Sequence, residues 1–183
     1  MSQTRDWRKV RAEVKDFVEN EVYPAESILN ERSEESNQKL KELMDKAKER
    51  NLWALGHPED IGGQGMPFME YVYVNEVVGR SSPAMVALGT HSLQDSIMLR
   101  EFASDRWRDA YLGPLVAGEI FPSFGMTEPD TASSDPTQLQ TAAVLEDGEW
   151  VINGRKWFTS GAARAAYTTV MVRTEPDTPG HGA

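Results

Sequence analysis

The hydrophobic period of this chain changes once, near Gly118, and that change constrains the fold more than any other feature. Before it, apolar residues recur at helical spacing. Trp7, Val10, Val14, Phe17, Val18 and Val22 form one stripe over residues 5–23, with Arg8, Lys9, Lys15, Asp16 and Glu19 on the wet side. Pro24 is expected to end or kink this helix. Leu40, Leu43, Met44 and Ala47 mark a second amphipathic helix, and the charge-rich stretch 30–42 reads as a loop plus a solvated helix face. His57 to Pro67 is dense in turn formers and reads as a loop. Phe68 to Val78 is apolar on almost every side, which predicts a helix buried among other helices. Ser82 and Pro83 offer an N-cap and a proline at the first helical position. Ala84 to Phe102 should form two helical pieces interrupted between Gly89 and Ser92, and Asp105 to Val116 one more.

After Gly118 the apolar runs shorten and become strand-like: Phe121 to Met126, Leu139 to Leu145, Trp150 to Ile152, Lys156 to Thr159 and Tyr167 to Arg173. Asp147-Gly148 and Asn153-Gly154 separate three of these runs, and such dipeptides favour tight hairpins. The expected architecture is therefore multi-domain, with an all-α N-terminal domain over residues 1–119. An antiparallel β domain over residues 120–183 follows, read as truncated because the sequence stops soon after its fifth strand-like run.

Charge removes several functions. Residues 1–50 carry 12 acids and 11 bases, whereas residues 51–183 carry 17 acids against 8 bases, so no clustered cations are available for a nucleic-acid backbone. No apolar run approaches the roughly 20 residues of a membrane span, and the N-terminus has no apolar signal core. The absence of cysteine excludes disulfides and thiolate metal sites. His57, His91 and His181 have no metal-ligand spacing, so no metal site is expected. Gly62-Gly63-Gln64-Gly65 lacks the preceding strand and following Gly-Lys-Ser/Thr of a phosphate loop, and reads as structural.

Two segments carry candidate chemistry: Phe124 to Asp135, and Asn153 to Gly161. A flat, phosphate-bearing cofactor such as a flavin needs donors at its pyrimidine edge and N5, apolar cover for its ring, and donors for its pyrophosphate. Backbone N–H groups around Met126 and Thr127, with the Thr127 hydroxyl, suit the pyrimidine edge. Ser133 and Ser134 suit phosphate, Trp157 and Phe158 can cover a ring, and Thr159 can offer a hydroxyl toward N5. The alternative is that both segments are ordinary strand residues beside an Asn-Gly turn.

Taken together and in order, the chain's segments resemble the N-terminal half of an acyl-CoA dehydrogenase. The resemblance runs from Asp16-Phe17-Val18-Glu19-Asn20-Glu21-Val22-Tyr23-Pro24 through Leu52-Trp53-Ala54-Leu55-Gly56, Gly62-Gly63-Gln64-Gly65, Asn75-Glu76-Val77-Val78-Gly79-Arg80 and His91-Ser92-Leu93. It continues through Tyr111-Leu112-Gly113-Pro114-Leu115-Val116-Ala117-Gly118-Glu119 to the two candidate segments, where Thr127-Glu128-Pro129 and Asn153-Gly154-Arg155-Lys156-Trp157 are the most specific parts. It implies a helical domain, a β-barrel-like middle domain and a C-terminal helical bundle. It also implies FAD as cofactor and α,β-dehydrogenation of a fatty acyl-CoA, within fatty acid β-oxidation. Phe124, Met126, Thr127, Ser133, Ser134, Trp157, Phe158 and Thr159 would bind FAD. Ser134, Val86, Gly89 and Leu93 would lie along the acyl-CoA, with Gly89 leaving room for a longer chain.

Asp130-Thr131-Ala132-Ser133-Ser134-Asp135 is one residue longer than the family's usual Gly-Ala-Gly-Ser-Asp, and the second segment is one residue shorter than Lys-x-Trp-x-Thr. Both features resemble the branch with kinase-fused, long-chain members. The family's catalytic glutamate belongs to the C-terminal bundle, so no residue of this chain is expected to be catalytic, and Glu128 is read as structural. An electron-transfer flavoprotein or similar acceptor is the implied partner, with a homo-oligomer, or a complementary chain carrying the bundle, as the assembly. A cytoplasmic protein is expected, with mitochondrial and peroxisomal placement open. Two alternatives stand beside the dehydrogenase: a non-catalytic assembly module of the same fold, and an acyl-CoA oxidase or flavin monooxygenase of the superfamily.

Overall fold

The computed structural model describes residues 5–31, 33–132 and 135–175. The chain divides into two compact units, Met1–Glu119 and Ile120–Ala183.

The first unit is helical. Helix α1, Trp7–Phe17, starts at Asp6, whose carboxylate accepts the Arg8 N–H, and buries Val10, Val14 and Phe17. Pro24 does not end the helical path. The chain widens into a π-helical turn at Val18–Val22 and tightens into a 3-10 turn at Tyr23–Ala25, so proline sits where a new turn begins. The buried stripe continues through Val18 and Val22. Helix α2, Glu26–Leu29, follows, then α3, Glu34–Glu49, capped by the Ser33 hydroxyl accepting from Ser36 N. Helix α3 buries Leu43, Met44 and Ala47, and Leu40 packs at the edge of the core.

Helix α4, Phe68–Val78, departs from expectation. Tyr71, Val74, Val77 and Val78 face the core, whereas Phe68, Met69, Val72 and Tyr73 are exposed. A helix apolar all round presents half of that surface outward here, with Trp7 stacked on Tyr73 at 5.0 Å. Helix α5, Ser82–Ala87, has its N-cap at Ser81, one residue before the expected Ser82. After Leu88 the chain breaks at Gly89 (φ 71°), makes the 3-10 turn Thr90–Ser92 and enters α6, Leu93–Phe102. Short α7, Asp105–Trp107, runs through a π-helical turn at Arg108–Leu112 into α8, Gly113–Ala117, which Gly118 closes at φ 75°.

Trp53 explains two of these glycines. A Cβ on Gly89 would lie 2.7 Å from the Trp53 ring, and a Cβ on Gly118 the same distance from that ring and from Met44 Cε. The indole therefore occupies the space that both glycines leave, and its N–H donates to the Val116 carbonyl at 2.8 Å.

The second unit holds two small sheets. Strands β1, Pro122–Gly125, and β4, Tyr167–Val170, pair in parallel, with Pro122 opposite Tyr167 and Gly125 opposite Val170. Strands β2, Ala142–Glu146, and β3, Glu149–Asn153, pair antiparallel around Asp147-Gly148, whose φ angles of 50° and 86° are those of a primed hairpin turn. The Ala143 N–H donates to the Arg173 carbonyl and the Arg173 N–H to the Thr141 carbonyl, which ties the two sheets together.

The all-antiparallel expectation is thus corrected by the β1–β4 pair, and no closed barrel forms among the described residues. Asn153-Gly154 makes no hairpin. Gly154 lies against Thr141, where a Cβ would come within 2.4 Å of the Thr141 hydroxyl, so the chain leaves the sheet at this point. Lys156 to Thr159 is not a strand, and Phe158 takes a left-handed φ of 48° that no ladder accommodates.

Candidate functional site

The two candidate segments meet. The Thr127 hydroxyl donates to the Trp157 carbonyl at 2.6 Å, and the Trp157 N–H donates back to the Thr127 carbonyl at 3.1 Å. Lys156, one residue earlier, donates to the Met126 carbonyl at 2.9 Å and to Glu128 Oε1 at 2.8 Å. Gly125 ends β1 between them, with Lys156 Cγ and Thr159 Oγ1 at 3.7 and 3.8 Å from where a Cβ would stand. Thus Met126, Thr127, Trp157 and Thr159, singled out on sequence, surround one patch of backbone.

Glu128 is the centre of this knot. Its side chain is only 4% exposed and Lys156 only 12%. Oε1 also accepts the Thr141 N–H at 2.9 Å and hydroxyl at 2.5 Å, and Oε2 accepts the Gln140 N–H at 2.7 Å. Burial pushes the Glu128 carboxyl up, but the bonds from Lys156, Thr141 and Gln140 outweigh it and hold the group at about 2. Such a carboxylate stays ionised and has little proton affinity, so it is a poor general base.

What the patch offers a ligand follows from what remains unpaired. The N–H groups of Met126 and Thr127 take no partner among the described residues. The Thr127 hydroxyl spends its proton on Trp157, so toward a ligand it can only accept. Trp157 and Phe158 contact each other at 4.7 Å, with Phe158 79% exposed on strained backbone. Phe124 lies on β1 opposite Thr169. Thr131 carries a buried hydroxyl with no partner among the described residues, and Asp135, four residues on, accepts Thr137 N–H and both Thr137 and Gln138 side-chain donors, shaping the loop. Ser133 and Ser134 lie outside the described residues. This donor set fits a flavin: free N–H groups for its pyrimidine edge, aromatic faces for its ring and an unpaired hydroxyl beside the loop expected at its phosphates.

The residues expected along an acyl chain do not share one helical face. Helix α5 ends at Ala87, Gly89 is left-handed, and the space above Gly89 belongs to Trp53. Val86 and Leu93 are half-buried on either side of this break. The buried His57 meets Ser92 there, Nε2 to Oγ at 3.1 Å. Because the Ser92 hydroxyl donates to the Gly89 carbonyl, His57 Nε2 carries the proton. Burial, then the His91 charge, lowers the His57 imidazole to about 4, so it is neutral and inert as a base. His181 lies outside the described residues. Among the described residues no cluster of three His, Cys, Asp or Glu could hold a metal, and no helix is long and apolar enough to cross a membrane.

The sequence places Lys156 in a strand-like run and in the Asn153-Gly154-Arg155-Lys156-Trp157 motif without a role of its own, and reads Glu128 as structural. The available signal was that Lys156 is the one lysine after residue 50, beside the aromatic pair. Thr131 carried no signal.

Comparison with known proteins matches residues 4–119 to "Acyl-CoA dehydrogenase, N-terminal domain" and residues 123–183 to "Acyl-CoA dehydrogenase, middle domain". Mouse acyl-CoA dehydrogenase family member 10 is 32% identical over 188 residues, covering 95% of this chain and 18% of that protein. A structure from Mycobacterium abscessus assigned as an acyl-CoA dehydrogenase superposes with a TM-score of 0.82 at 30% identity, covering 97% of this chain and 48% of that one. An acyl-CoA dehydrogenase complexed with FAD from Bacillus anthracis has a TM-score of 0.69 at 26% identity, covering 90% of this chain and 28% of that one. The chain thus spans less than half the length of each of these relatives. It belongs to the acyl-CoA dehydrogenase family.

Proposed function

We propose that this chain supplies the flavin-contacting part of an FAD-dependent acyl-CoA dehydrogenase. The observation that carries the reading is the reciprocal tie between Thr127 and Trp157, which brings both candidate segments to one patch while leaving the Met126 and Thr127 N–H groups unpaired among the described residues. Phe124, Met126 and Thr127 face the pyrimidine side in this reading, Trp157, Phe158 and Thr159 the ring and N5 side, and Ser133 and Ser134 the pyrophosphate. The Thr131 hydroxyl joins the phosphate-side donors.

FAD, when bound, supplies the hydride acceptor for the β-carbon of a fatty acyl-CoA. The chain's own residues orient it, and fixed N–H donors at its pyrimidine edge favour the charge that accumulates there on reduction. The α-proton must go to a base. Glu128 is not that base, because its carboxylate is buried, ion-paired and held at about 2. No residue of this chain takes that step in this reading. Val86 and Leu93 are the proposed acyl-side contacts, Ser134 the CoA-side contact, and an electron-transfer flavoprotein or similar protein the electron acceptor. The outward apolar faces of α4 and of the β2–β3 hairpin support assembly with a further copy or a complementary chain.

Titrating FAD into the purified chain, with flavin fluorescence as readout, tests the proposal. Saturable quenching is expected, with weakening when Phe158 is replaced by Ala. Absence of binding, both alone and with any co-purifying chain, would overturn it in favour of a non-catalytic module. Peroxide formation in place of reduction of an electron-transfer acceptor would favour an oxidase.

A further inference from the structure

Thr127 sits between two peptide planes, and consecutive residues of the other segment lock both. Lys156 Nζ binds the Met126 carbonyl at 2.9 Å, and the Trp157 N–H binds the Thr127 carbonyl at 3.1 Å. The peptide bond between Met126 and Thr127 is trans, as is every one among the described residues, so the Met126 carbonyl and the Thr127 N–H point in opposite directions across one rigid plane. Holding that carbonyl toward Lys156 therefore turns the Thr127 N–H away from the knot, where no protein acceptor meets it among the described residues.

Lys156 in turn has little freedom. Its ammonium is nearly buried against Glu128 Oε1, and Glu128 is fixed by the Gln140 and Thr141 N–H groups at the entry to β2. An ammonium on a four-carbon stem is otherwise mobile and well hydrated. Burying it beside a carboxylate with three further donors costs desolvation, and a plain packing role would be served more cheaply by apolar side chains.

We propose that Lys156, held by Glu128, is a positioning residue that aims the Thr127 N–H at the pyrimidine edge of the flavin. This rests on the flavin reading given above. Without Lys156 the 126–127 plane is free to rotate, and the donor is no longer preorganised.

The test uses the full chain and FAD, following flavin fluorescence for affinity, circular dichroism for folding, and hydrogen exchange at the Thr127 amide. Lys156→Met keeps the stem and removes the donors, and should weaken FAD binding by about tenfold or more with the circular dichroism unchanged. Glu128→Gln keeps the shape but removes the charge that fixes Lys156, and should weaken binding by a smaller factor. In the wild-type chain, FAD should slow exchange of the Thr127 amide and leave that of Val144 unchanged. If wild type fails to bind FAD, the flavin reading itself falls. If wild type binds and Lys156→Met binds within about twofold of it, the positioning role is overturned while the flavin reading stands. Should Lys156→Met fail to fold, Glu128→Gln decides: weaker FAD binding with the circular dichroism unchanged supports the assignment, and binding within about twofold of wild type overturns it.

Discussion

The helical unit is held from inside by apolar side chains, whereas the β unit is held by a knot of charge and hydroxyl. In the first, Val10, Val14, Phe17, Leu43, Leu52, Leu55 and Val74 are among a continuous buried cluster. In the second, Leu139 and Ala143 are the buried apolar residues among those described, beside buried Ser123, Glu128 and Thr141. The β2–β3 hairpin exposes Val144, Leu145, Trp150 and Ile152. Burial gives the helical unit a stability that is non-directional and tolerant of small shifts. The β unit depends on directed bonds, which fix backbone donors in place and weaken one another when a partner is removed. A region that must present N–H groups at set positions gains from the second arrangement.

That contrast can be broken most severely at its two centres. Phe17→Ala should destabilise the helical unit by about 3–5 kcal/mol through the cavity it leaves. Glu128→Ala should destabilise the β unit by a similar ~3–5 kcal/mol by stranding the buried Lys156 charge. Denaturant melts that report each unit separately should show each substitution confined to its own unit. Equal losses in both units would dissolve the distinction.

Acid should separate the units in order. His57 is held neutral, so its contribution to the helical unit is complete above 6.5 and lost as pH falls from 6.5 toward about 4. Glu128 is held ionised, so its contribution to the β unit is complete above 4.5 and lost as pH falls from there toward about 2. The helical unit is therefore the first to weaken, and His57→Gln should flatten its pH dependence between 6.5 and 4 in thermal melts. Gly89→Ala comes next, at roughly 2 kcal/mol, since it combines a left-handed φ with contact on the Trp53 ring. Trp150→Ser, on the exposed hairpin, should change stability by no more than about 0.5 kcal/mol.

Much of the helical unit is legible in its sequence because its stripes are local. The 3.6-residue period places Val10, Val14 and Phe17 on one face before any packing is known. It misleads at α4, where hydrophobicity on every side says nothing about which half is covered. In the β unit only local chemistry is legible. Asp147-Gly148 turns as its residue types demand, yet the same reasoning fails at Asn153-Gly154, because Thr141, distant in sequence, crowds Gly154. The parallel β1–β4 pairing joins segments some forty residues apart and leaves no periodic trace. At the candidate site, residue types identify Thr127, Trp157 and Phe158. The Lys156–Glu128 link is invisible because an ion pair has no sequence period.

Hydrogen exchange along the chain, with and without FAD, tests the central claim that the two segments form one flavin cradle. Simultaneous slowing over residues 124–127 and 157–159, with residues 144–152 unchanged, is the predicted result. Slowing in only one of the two segments, or in neither, would contradict it.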